Sequence, residues 1–405
     1  MQPKKVCVVG LGYIGLPTAA LLASTHYQVA GTDLNMHVVD TINRGEIHIV
    51  EPDLDAYVRS TVTAGRLRAF GKPQAADIYM ICVPTPFRDG EGIPQPNIDY
   101  VLAAARSVAP LIKPGDLVIL ESTSPVGTTR QMGETLREAG VDLTNVHLAY
   151  CPERVLPGKI MTELVENDRV VGGLTPEATA AVAAFYRTFV RGAVLETDAP
   201  TAEMCKLTEN SYRDVNIAFA NELSLLCNSA GIDVWKLIAL ANRHPRVNIL
   251  QPGTGVGGHC IAVDPWFIVA RDPENARVIR TAREVNDHKT DWVIAQIEKS
   301  AAAAAVSGRK PRIACLGLAF KPDIDDLRES PAVRVAASLV DAGHDVIAVE
   351  PNIDSHDRFV LVGVEEALAL ADVIVVLVKH REFVALAQAG RLAGSSILDF
   401  CGVSH

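Results

Sequence analysis

Residues 6–15 read Val-Cys-Val-Val-Gly-Leu-Gly-Tyr-Ile-Gly, a short apolar run followed by three closely spaced glycines. The run predicts a β-strand, and the residues after it are typical of the start of a helix. In such a unit Gly10 allows a tight turn, Gly12 lets the backbone approach a pyrophosphate, and Gly15 lets the helix pack on the strand. Asp33 follows Gly15 by 18 residues, where a carboxylate accepts hydrogen bonds from ribose hydroxyls and repels a 2′-phosphate. The stretch predicts a dinucleotide-binding fold that prefers NAD to NADP.

Strand and helix patterns alternate along much of the chain. Strands are predicted at residues 6–9, 28–32, 78–83, 117–120, 146–150, 312–316, 345–349, 373–378 and 396–399. Helical spacing dominates residues 201–242 and 275–305, and Ser330 before Pro331 predicts a helix N-cap. We therefore predict an α/β protein with two Rossmann-like doubly wound domains, joined by a central helical domain with a long helix. The predicted boundaries are 1–198, 199–305 and 306–405, and no internal sequence repeat is evident.

Composition narrows the class of protein. The 405 residues carry a formal net charge of −10, which argues against nucleic-acid binding. No uninterrupted apolar run is long enough to span a membrane, and residues 6–9 are too short for a signal-peptide core. We expect a cytoplasmic enzyme. The eight cysteines form no Cys-x-x-Cys pair and no metal-ligand spacing with histidine, so we expect reduced thiols and no metal site.

Two further loops fall at predicted strand ends. Residues 84–86 and 122–125 contain Thr85 and Thr123 among prolines and serines. Ligands of doubly wound sheets bind at this edge, so both threonines are candidates for cofactor contacts. Turn-forming residues without any ligand role are the alternative interpretation of each loop.

A glycine-rich stretch surrounds one cysteine: Gly253-Thr-Gly-Val-Gly-Gly-His-Cys260-Ile-Ala-Val-Asp264-Pro265. Such a loop exposes backbone N–H groups, which favour a thiolate at Cys260. Asp264 would face the same way if a helix began at Cys260. The alternative is a flexible hinge that happens to carry a cysteine.

The predicted central helix carries Lys206, Asn210 and Arg213 at helical spacing, so they share one face. A solvated surface would explain a lysine and an arginine. The surrounding run, residues 203–216, instead mixes amides, hydroxyls and charges on several sides. That mixture favours a buried polar site.

Together these pieces resemble the UDP-glucose/GDP-mannose dehydrogenase family over nearly the whole chain. The motifs that carry the resemblance are residues 10–15, 122–128, 151–154, 206–213, 253–265 and 320–321. Within the family, residues 43–52, 201–224 and 242–250 are most similar to bacterial members that act on UDP-N-acetyl-D-mannosamine.

The resemblance implies a four-electron oxidation of a sugar C6 alcohol to a carboxylate, with two NAD and one water. It implies catalytic roles for Cys260 as nucleophile, Lys206 as acid/base, Asn210 and Asp264 in positioning water and thiol, Glu153 in thioester hydrolysis, and Thr123 near cofactor and water.

Binding residues are implied in the same way. NAD would contact Gly10, Gly12, Tyr13, Ile14, Gly15, Asp33, Thr85, Thr123 and Arg328. A UDP-sugar would contact Arg154, Val155, Lys206, Asn210, Arg213, His244, Arg246, Gly257, Phe320 and Lys321. The last domain would bind the UDP-sugar, and the central helices would form a homodimer that brings the 244–246 loop to an active site across the interface.

The C-terminus departs from the family pattern, because Cys401 replaces the lysine of an Asp-x-Lys-Gly-Val-Trp motif and the tryptophan is missing. Three alternatives stay open: another nucleotide sugar (UDP-N-acetylglucosamine, UDP-glucose or GDP-mannose), a two-electron 3-hydroxyacid dehydrogenase, and a non-catalytic sensor of NAD or nucleotide sugar. A 3-hydroxyacid dehydrogenase would not require Cys260, and a non-catalytic sensor would be expected to have lost Cys260 or Lys206.

Overall fold

The structure is a computed structural model that describes residues 4–88, 90–258, 260–305, 309–392 and 397–405. The chain divides into two compact units, Met1–Thr208 and Glu209–His405. The predicted three-domain division is finer than this and stays a prediction. Each unit is described by itself below.

The first unit is built on one eight-stranded sheet and a small hairpin. Its strands are β1 Lys5–Val9, β2 Gln28–Thr32, β3 Leu67–Phe70, β4 Ile78–Ile81, β5 Phe87–Arg88, β6 Gln95–Pro96, β7 Leu117–Leu120, β8 His147–Tyr150, β9 Arg169–Gly173 and β10 Val194–Asp198. Its helices are α1 Gly15–Ser24, α2 Met36–Asn43, α3 Leu54–Thr63, α4 Asp99–Val108, α5 Thr128–Glu138, α6 Ile160–Glu166, α7 Pro176–Tyr186 and the beginning of α8 Ala199–Ala230.

The order of the large sheet is β10-β9-β8-β7-β4-β1-β2-β3. The six strands from β3 to β8 are parallel, as predicted. The pair β8–β9 is antiparallel, and β10 is parallel to β9, so one end of the sheet is mixed. The strand predicted at 78–83 ends at Ile81, because the chain turns toward the proline-bearing loop that follows.

Both faces of this sheet are covered by helices. Along β1, Val6 and Val8 belong to one buried cluster, while Cys7 and Val9 belong to the other. Alternation of this kind follows from the two-residue period of a strand, and burial on both faces requires apolar residues at every position. The polar loops at the carboxyl ends of the strands are thereby left for ligands.

The second unit begins within α8 and ends on a four-stranded parallel sheet. Its other helices are α9 Val234–Ala241, α10 Asp264–Arg271, α11 Arg277–Ala304, α12 Pro331–Asp341, α13 Val364–Leu370 and α14 Arg381–Gln388. Its strands are β11 Arg312–Leu316, β12 Asp345–Val349, β13 Val373–Val376 and β14 Ile397–Asp399, in the order β12-β11-β13-β14.

Several predictions in this unit are confirmed and others are wrong in detail. The strands at 312–316 and 345–349 match, and Ser330 caps α12 by accepting a bond from Val333 N–H. The single helical segment predicted over 201–242 is broken, because Gly231 adopts φ of 67° and Asp233 caps a new helix. Residue 396 of the last predicted strand, and residues 306–308 at the predicted domain boundary, lie outside the described residues.

Among the described residues, no helix is both long enough and apolar enough to cross a lipid bilayer.

Candidate active site

The turn after β1 has the geometry of a dinucleotide-binding loop. Gly10 has φ of 93°, and a Cβ at this position would lie 2.6 Å from the carbonyl oxygen of Cys82. A Cβ on Gly15 would lie 1.8 Å from the carbonyl oxygen of Gly10, so α1 packs against the turn at a distance that excludes any side chain. Gly12 is exposed with open space around its α-carbon, which leaves room for a phosphate.

Asp33 follows β2 and faces this turn. Its Oδ2 accepts a hydrogen bond from Leu11 N–H at 3.0 Å, and its Oδ1 accepts one from Asn35 N–H at 2.9 Å. Each carboxylate oxygen has a second lone pair, and the side chain is only half-buried, so Asp33 can still accept hydroxyl groups. Tyr13 is exposed, and Ile14 has no polar group with which to cap α1. Leu16 N–H donates to the Gly12 carbonyl oxygen at 3.1 Å and Pro17 has no N–H, so the N–H groups that this turn can offer a phosphate lie before Leu16.

The loops after β4 and β7 are tied together at the same edge of the sheet. Thr85 Oγ1 donates to the carbonyl oxygen of Thr123 at 2.6 Å, and Ser122 Oγ donates to the carbonyl oxygen of Val83 at 2.7 Å. The structure therefore brings together the two threonines that the sequence placed on separate loops.

Glu203, on α8, accepts hydrogen bonds from the end of the loop that follows β7 and from the start of α5. Its carboxylate accepts bonds from Gly127 N–H at 2.6 Å and from both the N–H and the hydroxyl of Thr129, at 2.8 and 2.7 Å. A carboxylate in this position satisfies the free N–H groups that begin α5. Lys206, half-buried, lies one turn further along α8. Sequence reasoning missed this role of Glu203, although an acid preceding Lys206 by three residues was visible.

Glu153 is buried in the loop that follows β8. Its Oε2 accepts a bond from Arg169 at 2.8 Å, and its Oε1 accepts one from Arg154 N–H at 2.5 Å. Arg154 and Val155 are half-buried beside it, and the Arg154 guanidinium donates to the carbonyl oxygen of Asp168 at 3.0 Å. Sequence reasoning also missed Arg169, because a β-strand arginine carries no motif.

The candidate nucleophile lies in the second unit. Cys260 is exposed, and its carbonyl oxygen accepts a bond from Asp264 N–H at 2.8 Å. The helix begins at Asp264 and not at Cys260, after a turn over residues 260–263, so the condition under which Asp264 would share a helix face with Cys260 is not met. Pro265 explains the difference, because proline is favoured in the first turn of a helix and disfavoured inside it. His259 lies outside the described residues.

Asn210 and Asp264 meet, as expected for a shared polar site. Asn210 Nδ2 donates to Asp264 Oδ2 at 2.5 Å, and both side chains are buried. Asn210 belongs to α8, together with Lys206 and the exposed Arg213. The bond fixes the head of α10 to α8 and so fixes the position of the turn that carries Cys260.

The rest of the cysteine loop is held against the segment before α12. A Cβ on Gly257 would lie 2.5 Å from the carbonyl oxygen of Glu329, and a Cβ on Gly258 would lie 2.7 Å from the Phe320 ring. Gly258 also has φ of 81° and donates its N–H to the carbonyl oxygen of Arg328 at 3.2 Å. Glycine is therefore required at 257 and 258 because Phe320 and the 328–329 backbone fill the space.

A buried polar network supports the loop from behind. Asn221 Oδ1 accepts Gly253 N–H at 2.9 Å, and Asn221 in turn donates to Asn286 on α11 at 2.8 Å. Asn286 and Arg283 both donate to Asp214, at 2.8 and 2.7 Å. These bonds join α8, α11 and the glycine-rich loop through buried polar groups, which ties the loop to two helices.

Other predicted substrate residues are placed but not brought together. His244 and Arg246 are exposed in a loop that Asn242 closes through two bonds to Ile249, at 2.7 and 3.0 Å. Phe320 and Lys321 are half-buried after β11, and the Arg328 guanidinium bonds the carboxylate of Asp326 at 2.6 Å. Contacts of these residues with a ligand stay predictions.

Two features near the second sheet bear on metal and nucleotide binding. In the described part of the chain, Asp323, His380 and Glu382 form the one group with metal-ligand spacing. Both His380 ring nitrogens are engaged, Nδ1 by Asp323 N–H at 2.9 Å and Nε2 by Glu350 at 3.0 Å, so the ring offers no ligand atom. Cys401 is buried, and burial raises the pKa of its thiol, so it supplies no cation in place of the family's lysine.

Family models match three successive parts of the chain. Residues 4–190 match the NAD binding domain of the UDP-glucose/GDP-mannose dehydrogenase family, residues 200–288 its central domain, and residues 314–404 its UDP binding domain. The chain belongs to this family. It is therefore an NAD-dependent oxidoreductase, and the resemblance inferred from the sequence motifs is confirmed.

Individual relatives cover almost the full length. A UDP-N-acetyl-D-mannosamine dehydrogenase of Escherichia coli (strain K12) is 58% identical over 398 residues, which are 93% of this chain and 94% of the relative. An NDP-N-acetyl-D-galactosaminuronic acid dehydrogenase of Ralstonia nicotianae is 53% identical over 414 residues, 99% of this chain and 96% of the relative. The structure of a UDP-N-acetyl-mannosamine dehydrogenase from Staphylococcus aureus matches with a TM-score of 0.88 and 41% identity, covering 98% of this chain and 95% of that one.

Proposed function

We propose that this enzyme oxidises the C6 alcohol of UDP-N-acetyl-D-mannosamine to a carboxylate, with two NAD and one water, through a thioester on Cys260. The observation that carries the proposal is the exposed cysteine on a turn that the buried Asn210–Asp264 bond fixes in place. The names of the relatives at 55–58% identity favour the mannosamine sugar. The Ralstonia relative makes an N-acetylgalactosamine nucleotide a second candidate substrate.

NAD would be held by the turn after β1, with its pyrophosphate on Gly12 and the head of α1 and its ribose on Asp33. Thr85, Thr123 and, from the second unit, Arg328 are the further contacts that we propose. When bound, the cofactor supplies a hydride acceptor, and it is used twice. The residues of the chain hold the sugar, move its protons and capture the aldehyde.

Cys260 would bind the aldehyde that the first oxidation leaves. Its thiolate adds to the aldehyde carbon, a C–S bond forms, and the carbonyl oxygen takes a proton from Lys206. Asn210 and Asp264 hold the thiol turn and offer polar atoms to the reacting water. Covalent capture explains how one site can carry out both oxidations without releasing the aldehyde.

Glu153 would complete the reaction after the second oxidation has produced a thioester. It takes one proton from water as the hydroxyl oxygen adds to the thioester carbon. The C–S bond then breaks, the carboxylate forms, and the Cys260 thiolate is regenerated. The buried ion pair with Arg169 keeps Glu153 in one orientation for this step.

Substrate recognition would come from cationic, polar and apolar groups. Phe320 and Lys321 are proposed for the uridine diphosphate, where a cation offsets phosphate charge. The proposed contacts around the sugar and phosphates are Arg154, Val155, Lys206, Asn210, Arg213, His244, Arg246 and Gly257.

A homodimer is part of the proposal, and an apolar stripe on α8 supports it. Tyr212, Phe219 and Leu226 recur every seven residues and are 69%, 53% and 57% exposed. That spacing puts them on one helix face, and exposed apolar stripes of this kind mark association surfaces. The cytoplasmic location stays a prediction. The succession of three family models supports the proposed three-domain division.

The test counts NADH formed per sugar consumed, with the UDP forms of N-acetyl-D-mannosamine, N-acetyl-D-glucosamine and N-acetyl-D-galactosamine side by side. Two NADH and a uronate from the mannosamine compound alone would support the proposal. Two from another sugar would keep the mechanism and change the substrate. One NADH with a carbonyl product would remove the thioester, and C260S should then behave like the native enzyme.

A further inference from the structure

Lys379 is a half-buried cation to which the proposed function gives no role. It lies three residues after β13, at the carboxyl edge of the four-stranded sheet. Its Nζ donates to the carbonyl oxygen of Gly402 at 2.5 Å, and no carboxylate of the described residues forms an ion pair with it. An ammonium group has three donors, so two are left for another acceptor. A half-buried charge without an opposite charge is costly, and an anionic ligand would offset that cost.

The same edge of the sheet carries the residues proposed for the uridine diphosphate. β11 and β13 are parallel neighbours, so Phe320 and Lys321 leave the sheet at the same edge as Lys379. A Cβ on Gly317 would lie 2.5 Å from the side chain of Val378, so the loop after β11 touches the segment after β13 directly before Lys379. Ligands of open parallel sheets bind outside the carboxyl ends of the strands. Lys379 therefore lies where a ligand of this sheet is expected.

The cysteine loop reaches this edge as well. Thr254 Oγ1 donates to the carbonyl oxygen of Leu377, two residues before Lys379, at 2.6 Å. Further along the loop, a Cβ on Gly258 would lie 2.7 Å from the Phe320 ring. The loop thus contacts both the end of β13 and the loop after β11, and all of these segments belong to the second unit. The segment that carries Lys379 is therefore part of the surroundings of the proposed UDP-sugar.

The turn after β14 lacks the cation that the family pattern places there. Cys401 replaces the lysine, and its buried thiol donates to a strand carbonyl oxygen at 3.6 Å. The Asp399 carboxylate shapes this turn by accepting the N–H groups of residues 401, 402 and 404, at 3.1, 2.7 and 3.1 Å. Lys379 donates to Gly402, the residue directly after Cys401. A cation from β13 therefore lies at the turn where position 401 offers none.

We propose that Lys379 is a phosphate-binding residue: from the end of β13 it supplies a positive charge to the diphosphate of the nucleotide sugar, in place of the charge that Cys401 removes from the end of β14. The inference rests on the proposed function, which assigns a UDP-sugar to this domain but gives Lys379 no part in binding it. Lysine binds phosphate as a point charge with rotatable donors, so its hydrogen bond to Gly402 leaves it able to do so.

The first experiment measures the binding of UDP to the full-length enzyme with saturating NAD, by isothermal titration calorimetry. UDP carries the diphosphate and has no sugar to oxidise. Loss of one charge-assisted hydrogen bond in K379M should raise the Kd for UDP about tenfold. K379R keeps the charge and should keep most of the affinity. Uridine, titrated by displacement of UDP, has no phosphate and should bind the native enzyme and K379M alike.

Lys310 provides a matched control. Its Nζ also donates to a glycine carbonyl oxygen, that of Gly343 at 3.0 Å, but it precedes β11 and lies at the amino edge of the same sheet. K310M removes the same charge and the same kind of bond from the opposite edge, and it should bind UDP as the native enzyme does. A Kd of K310M as high as that of K379M would show an effect of net charge alone and would contradict a contact at Lys379.

A second experiment moves the charge from one strand end to the other. C401K places a lysine after β14, so the double variant K379M/C401K should recover the UDP affinity that K379M loses. Position 401 belongs to a buried apolar cluster, so thermal denaturation checks that the double variant is folded. A folded double variant that binds UDP no better than K379M would overturn the exchange of charge between the two strands. If it does not fold, the comparison of K379M with K379R decides.

The inference and the proposed function fail in different ways. If the native enzyme binds UDP and K379M binds it equally well, Lys379 has no contact with the diphosphate and the nucleotide site remains. If K379M weakens UDP and uridine by the same factor, its role is structural and the inference is again wrong. If the native enzyme does not bind UDP, the nucleotide site of the proposed function is refuted and the inference with it.

Discussion

The turn after β1 and the turn after β11 share the same backbone geometry. Gly10 N–H donates to the Thr32 carbonyl oxygen at 2.8 Å with φ of 93°, and Gly317 N–H donates to the Val349 carbonyl oxygen at 2.8 Å with φ of 95°. In each case an acid follows the second strand and accepts N–H groups from the turn. The chain thus contains a structural repeat that its sequence does not reveal.

The acids of the two turns differ in what remains available for a ligand. Asp33 is half-buried and accepts two backbone N–H groups. Glu350 is buried and accepts N–H groups from Leu318, Ala319 and Asn352, together with the His380 ring at 3.0 Å. The side chain of Glu350 is one methylene longer than that of Asp33 and therefore reaches across the turn. The bond to the His380 ring occupies its carboxylate further. The same frame is therefore open to a ligand in the first sheet and closed by a structural clamp in the second.

The most direct test of the difference between the two turns is E350A. Removal of this carboxylate leaves two turn N–H groups and a buried imidazole without their acceptor, so the variant should lose about 3 kcal/mol of unfolding free energy. Urea unfolding monitored by circular dichroism measures the loss. The control is E365A, which breaks only the exposed pair with Arg391 and should leave stability nearly unchanged, because solvent screens such a pair. Equal losses in the two variants would contradict a clamp at Glu350.

Glu350 should also make stability depend on acid. Burial would raise its pKa, but hydrogen bonds from His380, Leu318, Ala319 and Asn352 outweigh this and lower it from 4.5 to about 2. The folded state therefore binds this proton less readily than the unfolded state. The stabilisation is present above about pH 4.5 and is lost as pH falls toward 2, a span worth about 3 kcal/mol. In E350Q this part of the acid dependence should be absent.

The corresponding change in the first turn, D33A, should affect cofactor binding rather than folding. Loss of the ribose acceptor should raise KM for NAD about thirtyfold, which is equivalent to about 2 kcal/mol. It should also reduce the preference for NAD over NADP. Steady-state kinetics with both cofactors measure this. D40A, on the exposed face of α2, is the control and should leave KM unchanged. A loss of stability as large as that of E350A would mean that Asp33 is a clamp as well.

Two buried cations, Arg169 in the first unit and Lys289 in the second, also differ in their partners. Arg169 has a carboxylate partner, whereas Lys289, among the described residues, bonds only the Ser224 hydroxyl at 2.7 Å and faces the Trp292 ring at 4.2 Å. Burial lowers the pKa of Lys289 from 10.5 to about 7. The unfolded chain therefore holds this proton more tightly, and stability rises with pH between 7 and 10.5.

K289M should consequently stabilise the protein. The gain should be about 2 kcal/mol at and below pH 7 and should shrink as pH rises toward 10.5, above which the native lysine is neutral in both states. Urea titrations at several pH values test this, with K236M at an exposed lysine as the control. A destabilised K289M would show instead that the ammonium is required in its charged form.

The same comparison explains what could be predicted from sequence. Asp33 could be singled out as a candidate because the glycine turn and the helix that follow β1 are local and closely spaced, and its contact with a cofactor stays a prediction. Glu350 could not be singled out in this way, because the residues after Gly317 form a loop rather than a helix, and three of its four partners lie about 30 residues away in the sequence. Arg169, Lys289 and Lys379 were missed for the same reason: each is defined by contacts that only folding brings together.

Local signals were reliable where a short stretch decides its own structure. The cap at Ser330 was predicted correctly, as was the strand that ends before Asp33. The start of α10 at Asp264 also follows from a local signal, because Pro265 is favoured in the first turn of a helix. The meeting of Asn210 with Asp264 was expected from the family motif, and helical spacing could not have shown it.

The smallest predicted effects concern the caps beside the two turns. Asn35 accepts His37 N–H at the head of α2, and Ser330 accepts Val333 N–H at the head of α12. N35A should lose about 1 kcal/mol of unfolding free energy. S330A should lose more, because Ser330 is buried and also donates to the carbonyl oxygen of Leu318 at 2.6 Å, within the clamped turn. Urea unfolding of both variants gives the order. If N35A lost more than S330A, the turn after β1 and not the turn after β11 would be the one on which stability depends.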